Sequence, residues 1–226
     1  MCLPRSRLLP IVVVLIAAAL VAALFVDQPL AALMARADPQ IHLIADRVTQ
    51  FGRSTWYLIT LAVAAIALTL LARRQRSPVR KAMLQWWAGA ALFIFLSIAA
   101  SGLLTNLVKL LVGRARPLVA GGGFDPFTVG YAYNSFPSGH STVGFALAFA
   151  IAALWPRWFW PMLAFAIAVA ASRVILQVHY LSDVIGGALV ALVTVNALCA
   201  LFARRGLLFG RPASPQAPRG AGLTPP

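Results

Sequence analysis

What most constrains this chain is a series of apolar runs, each fit to cross the roughly 30 Å of bilayer hydrocarbon, a crossing that takes about 20 apolar residues in a helix. The first is "LLPIVVVLIAAALVAALFV", Leu8 to Val26, and the second is "WYLITLAVAAIALTLLA", Trp56 to Ala72. The others extend from Ala82 to Val112, from Ser138 to Trp155, from Phe159 to Ser172 or Val178, and from Asp183 to Ala203. A chain that is 61% hydrophobic and 11% charged lies outside the range of water-soluble domains. The expected fold is all-α, a bundle of six transmembrane helices.

The first run follows a basic start, "MCLPRSR", as the core of a signal peptide does. Its length exceeds the roughly 7 to 15 apolar residues of a cleavable signal, so a retained helix is expected. Residues 204–226, rich in proline and glycine, read as a disordered tail. Cys2 and Cys199 fall toward the same side of the bilayer, but their spacing gives no support for a disulfide; a free thiol and a small packing residue are expected.

The formal charge of +14 comes from 19 Lys and Arg against 5 acidic residues, all Asp. Its distribution is a topology signal. Arg5, Arg7, the Arg73 to Lys81 cluster, Arg157, Arg204, Arg205, Arg211 and Arg219 alternate onto one face, which holds twelve of the cations. The other face holds seven. Positive residues in short loops mark the cytoplasmic side, so both termini are expected inside, with the seven-charge face extracytoplasmic and the chain integral to the plasma (inner) membrane. Nucleic-acid binding needs basic residues interleaved with stacking aromatics on an exposed surface, a pattern this chain lacks. Within the outer face, Arg36, Arg47 and Arg53 stand with Asp38 and Asp46 in a segment, residues 27–55, that reads as amphipathic and lying at headgroup height. Lys109, Arg114, Arg116 and Arg173 have no local acidic partner.

Three separate segments deliver polar residues to that outer face: "KLLVGRARP" (Lys109 to Pro117), "FPSGHST" (Phe136 to Thr142) and "SRVILQVHYLSD" (Ser172 to Asp183). Ionised groups near hydrocarbon are costly and usually have a partner, and with so few carboxylates nearby an anionic ligand suits Lys109, Arg116 and Arg173. Arginine's fork matches phosphate oxygens, and lysine adds a mobile point charge. Pro137, Ser138 and Gly139 describe a helix N-terminus, where free N–H groups and the helix dipole attract phosphate, and His140 lies in its first turn. His179 and Asp183 are four residues apart and share a face if the segment is helical; the carboxylate can then fix the ring tautomer and leave the other nitrogen as a nucleophile. Zinc would suit two histidines and a carboxylate, but three permanent cations repel a divalent ion and already supply charge neutralisation. No metal or other cofactor is expected.

Taken together, K-x6-R-P (Lys109 to Pro117), P-S-G-H (Pro137 to His140) and S-R-x5-H-x3-D (Ser172 to Asp183) resemble the type 2 phosphatidic acid phosphatase (PAP2) superfamily, integral-membrane lipid phosphatases that share an active-site plan with vanadium haloperoxidases. The resemblance covers residues 81–203 and implies a PAP2/haloperoxidase-like core there, preceded by two transmembrane helices in residues 1–80. It further implies that His179 attacks phosphorus and forms a phosphohistidine, that Asp183 holds its ring, and that His140 serves as acid and then base. Lys109, Arg116, Arg173 and the backbone N–H groups of Ser138 and Gly139 would bind the phosphoryl oxygens, with Ser172 and Arg114 as lesser helpers.

A site at the ends of membrane helices favours a membrane lipid as the substrate: phosphatidate, phosphatidylglycerol phosphate, undecaprenyl diphosphate or a lipid A phosphate. A phosphotransferase using the same intermediate and a non-enzymatic carrier are the competing readings. The soluble haloperoxidase branch is a poor match for so apolar a chain. The glycine-rich and aromatic stretch from Gly113 to Phe136 is expected to border the entrance to the site.

Overall fold

The structure is a computed structural model and describes residues 3–119, 123–128 and 130–208. Among these it contains helices only, apart from one isolated bridge between Arg114 and Phe124. Helix α1 is Arg5–Val21; a π turn, Ala22–Val26, joins it to α2, Asp27–Met34. Then come α3 (Pro39–Thr49), α4 (Ser54–Arg74), α5 (Pro78–Val112), α6 (Gly139–Leu154), α7 (Phe159–Ile175) and α8 (Leu181–Arg204). Among the described residues five helical stretches are long and apolar enough to cross a membrane, and a sixth, Gly139–Leu154, is apolar but shorter. The six-helix, all-α expectation therefore holds, and the large apolar side chains exposed along α1 and α4, Val14, Leu20, Ile59, Val63 and Ile66 among them, are the surface that lipid would cover.

The short helix is the central one. Helix α6 packs against α5, α7 and α8, and its side chains from Ser141 to Ala148 are all buried. Its 16 residues span about 24 Å, less than the roughly 30 Å of bilayer hydrocarbon. Ser138 caps it, accepting from Ser141 N. Helix α5, with 35 residues, is about 52 Å long and overshoots the hydrocarbon. It stops at Gly113, whose φ of 55° is the left-handed C-terminal conformation that glycine tolerates. A side chain there would be blocked as well, because its Cβ would fall 1.9 Å from the Asp125 carbonyl oxygen.

Several boundaries differ from the sequence expectation, each for a local reason. The first apolar helix continues past Val26 to Met34 through the π turn, which inserts one residue and rotates α2 relative to α1. Leu24 and Phe25 are 74% and 71% exposed, while Asp27 is 2% exposed. Of the segment expected at headgroup height, only α3 forms a separate helix, started by Asp38, which accepts from Gln40 N, and by Pro39. Its buried residues, Ala45 and Thr49, face α7. Helix α7 ends at Ile175 rather than Val178, and α8 starts at Leu181.

Cys199 is disulfide-bonded, which corrects the expectation of an unpaired cysteine. The packing of α1 along α8, with Leu3 N donating to Asn196 Oδ1 at 2.8 Å, brings the start of the chain beside the end of α8. That proximity is tertiary, and residue spacing carried no sign of it. The tail expected from residue 204 onward lies outside the described residues from 209.

Candidate active site

The three sequence segments converge where α5 ends, α6 begins and α7 turns into α8. Asp183, fully buried at 0% exposure, is the hub. Its Oδ1 accepts from Arg114 Nη1 at 2.6 Å, and its Oδ2 accepts from Ser135 Oγ at 2.5 Å and from Tyr180 N at 2.8 Å. His179 Nδ1 lies 3.5 Å from the same Oδ2 and has no hydrogen-bond partner among the described residues. The contact is in ion-pair range and looser than a formed hydrogen bond, as catalytic contacts often are before substrate tightens them. With Nδ1 turned to the carboxylate, Nε2 points away from it.

The origin of this pairing differs from the expected one. His179 precedes α8, so the two residues do not share a helical face; Asp183 is the third residue of α8 and reaches back to the Tyr180 N–H as a helix cap. The turn that carries His179 is itself pinned, since Gln177 adopts φ 54° and donates from Nε2 to Ala31 O at 3.0 Å. Burial pushes the His179 imidazole down to about 4, against the nearby Asp183 charge and with help from Lys109 and Arg116. His179 is therefore neutral near pH 7, with a lone pair available.

The cations are arranged around this pair. Lys109, in the last turn of α5, donates from Nζ to Asn134 O and lies within electrostatic range of Arg116, Asp183 and Arg173. Arg116 donates from Nε to Tyr131 O at 2.8 Å and from Nη1 to Val178 O at 3.1 Å, and its guanidinium stacks 3.7 Å over the Tyr131 ring. Burial lowers its pKa. Arg173, in the last turn of α7, donates from Nη1 to Thr49 Oγ1 at 2.6 Å, while its buried Nε has no partner among the described residues. Neither Arg116 nor Arg173 makes an ion pair with a carboxylate among the described residues, so both keep their charge for another anion. Arg114 differs: its Nη2 pairs with Asp27 Oδ2 at 2.8 Å and its Nη1 with Asp183. Burial alone would lower its pKa, but the two carboxylates outweigh it and hold Arg114 above its ordinary value. Arg114 has no acidic partner nearby in sequence; both of its carboxylates come from distant parts of the chain.

His140 sits in the first turn of α6, half-buried, against Gly52 of the turn between α3 and α4. Gly139 is open, since a Cβ there would meet nothing within 4 Å. Its N–H and that of His140 belong to the first-turn donors that a helix leaves unpaired. Ser138 is placed differently, because its N–H donates to Asp183 O at 2.9 Å and its side chain caps α6. That N–H ties α6 to α8 instead of facing an anion. The two helices approach so closely here that a Cβ on Gly187 would lie 2.7 Å from Ser138 O. Ser172 donates to Val169 O within its own helix at 2.7 Å and takes no further part. Among the described residues no group of three or more His, Cys, Asp or Glu is arranged to hold a metal ion.

Sequence reading missed four contributors: Asp27, Ser135, Thr49 and Ser182. Only Asp27 carried a signal, as an ionisable residue directly abutting an apolar run. Away from this polar cluster, an apolar cavity of about 860 Å³ lies between α1, α6, α7 and α8, lined by Leu15, Phe149, Leu163, Leu181, Val184 and Leu192 among others.

Comparison with known proteins bears on the family and the fold. A sequence model of the PAP2 superfamily matches residues 90–207. A lipid A 1-phosphatase of Rhizobium johnstonii is 36% identical over 199 residues, which is 85% of this chain and 80% of that protein. A lipid A 1-phosphatase of Rhizobium etli is 37% identical over 173 residues, 74% of this chain and 73% of that one. Among solved structures, the transmembrane PAP2 type phosphatidylglycerolphosphate phosphatase of Bacillus subtilis superposes with a TM-score of 0.60 at 22% identity, covering 88% of this chain and 96% of its own, and shares the fold.

Proposed function

The chain belongs to the PAP2 superfamily and is a membrane phosphatase, and on that premise we propose that it removes phosphate from a membrane lipid through a phosphohistidine on His179, without a metal. The observation that carries the reading is the buried His179–Asp183 pair facing a group of cations, two of which lack a carboxylate partner among the described residues. His179 Nε2 attacks phosphorus as the bond to the lipid oxygen breaks, and Asp183 steadies the ring as it gains positive charge. His140 gives its proton to the leaving lipid oxygen. It then takes a proton from the water that cleaves the P–N bond, which frees inorganic phosphate and restores both histidines. Lys109, Arg116, Arg173 and the Gly139 N–H hold the three phosphoryl oxygens through both steps; Ser138 contributes by fixing the helix end that presents Gly139.

The relatives' names make a lipid A phosphate the first substrate to try, ahead of phosphatidate, phosphatidylglycerol phosphate and undecaprenyl diphosphate. The apolar cavity beside α8 supports a lipid, because its surface suits acyl chains rather than a soluble phosphate ester. By the distribution of charge, both termini face the cytoplasm and the site faces outward at the inner membrane.

The test is phosphate release by purified protein from a panel of these lipids, comparing wild type with His179→Ala. Removing the nucleophile closes the two-step route, so release is expected to fall to background. Release by His179→Ala at the wild-type rate would overturn the mechanism, and label appearing on a lipid acceptor rather than as free phosphate would make the protein a transferase.

A further inference from the structure

We propose that Asp27, from the N-terminal helical stretch and outside the matched residues 90–207, is a positioning residue of the site, acting on His179 through Arg114, Ser182 and Asp183. The proposal rests on the phosphohistidine reading above and adds a residue to it.

The geometry is specific. Asp27 is 2% exposed, and both of its oxygens are engaged. Oδ1 accepts from Ser182 N at 3.0 Å; Oδ2 accepts from Ser182 Oγ at 2.5 Å and from Arg114 Nη2 at 2.8 Å. Arg114 Nη1 in turn reaches both Ser182 Oγ and Asp183 Oδ1 at 2.6 Å, and the guanidinium lies 4.3 Å over the Tyr180 ring. One carboxylate from the N-terminal helix thus holds the residue before Asp183, through backbone and side chain, and one half of the arginine that holds Asp183 itself.

Charge gives this contact a chemical consequence. Alone, Arg114 would neutralise Asp183, and a neutralised Asp183 has little attraction for the cationic ring that forms when His179 attacks. Asp27 supplies a second negative charge, so the buried set Asp27, Arg114 and Asp183 keeps one net negative charge facing His179. Asp27 touches neither substrate nor reacting atoms; it keeps Asp183 anionic in effect and fixed in place. Outer partners that orient metal-ligating side chains change activity by about 10- to 100-fold when lost, and a loss of the same order is expected here.

The test compares kcat and KM for lipid phosphate release in wild type, Asp27→Asn, Ser182→Ala and Leu30→Ala. Asp27→Asn keeps the shape and removes the charge; kcat is expected to fall about 10- to 100-fold with KM within about twofold, because the cations that bind phosphate are untouched. Leu30 packs against the apolar core from the same helix. Leu30→Ala is expected to lower the melting temperature and leave kcat unchanged, which separates charge from helix docking. If Asp27→Asn fails to fold, Ser182→Ala removes a hydroxyl from both partners and is expected to lower kcat several-fold. Wild-type kcat in a folded Asp27→Asn or in Ser182→Ala, or an equal loss in Leu30→Ala, overturns the proposal. An inactive wild type sinks the phosphatase reading itself, whereas an active wild type with an indifferent Asp27→Asn sinks only this inference.

Discussion

Substituting Gly52 by alanine tests whether His140 must sit where the structure puts it. A Cβ at residue 52 would lie 2.7 Å from His140 Cδ2, 2.8 Å from His140 Cβ and 2.9 Å from Val169 Cγ1. Carbon atoms settle at about 3.5 to 4.0 Å, so the imidazole has to retreat by roughly 1 Å. His140 Cβ is held by the α6 backbone, which prevents a simple rotamer change from absorbing the clash. Overpacking of this kind costs about 1–3 kcal/mol of stability, and a displacement of about 1 Å at a reacting group costs on the order of 10²-fold in rate. Gly52→Ala is therefore expected to fold, with a lowered melting temperature, and to release phosphate at about one hundredth of the wild-type kcat. Gly102→Ala is the control: its Cβ would meet nothing within 4 Å inside α5, and the helix gains about 0.5–1 kcal/mol. A folded Gly52→Ala with kcat within threefold of wild type refutes the assignment of His140 as the acid and base.

Acidity and orientation give two more tests. Because burial holds His179 down to about 4, and because protonation removes the attacking lone pair, the acid limb of the kcat/KM profile should fall near pH 4 rather than near the ~6.5 of an exposed imidazole; a limb at 6.5 contradicts the buried, neutral nucleophile. A reporter that works only outside the cytoplasm, fused after Arg219, should be silent, and activity there would invert the proposed orientation.

The candidate catalytic segments were legible in the sequence because their chemistry is local. Ser138 as a cap, Gly139 as an open approach and His140 in the first turn all come from rules that act over four residues, and α6 starts as those rules require. The convergence of Lys109, His140 and His179 was also readable, since alternating spans send alternate loops to one side. What stayed hidden was every contact whose two halves lie far apart in the chain. Arg173 to Thr49, Arg114 to Asp27 and Ser135 to Asp183 bridge 124, 87 and 48 residues, and no periodicity marks either end. The His179–Asp183 pair was found for an incomplete reason: spacing suggested a shared helical face, whereas a capping interaction at the start of α8 creates the contact.

These hidden contacts have a pattern. The residues matched by the family, 90–207, contain the proposed nucleophile, the proposed acid and the three cations, yet each of the two arms of the proposed site is closed by the N-terminal part of the chain. Asp27 braces the Arg114–Asp183 arm, and Thr49 with Gly52 braces the Arg173–His140 arm. Helix α6 is the shortest of the apolar helices, and α2 and α3 pack against α7 and α8 beside its N-terminal end. Helix α1 buries none of its residues and is held by its flanking contacts to α8 and the π turn. The π turn at Ala22–Val26 has a physical consequence: in a regular α-helix Ala22 and Asp27, five residues apart, would point about 140° apart, whereas the wider turn lets both be buried. The irregular turn in an otherwise uniform apolar helix thus brings a carboxylate from the N-terminal helix to the arginine that holds Asp183.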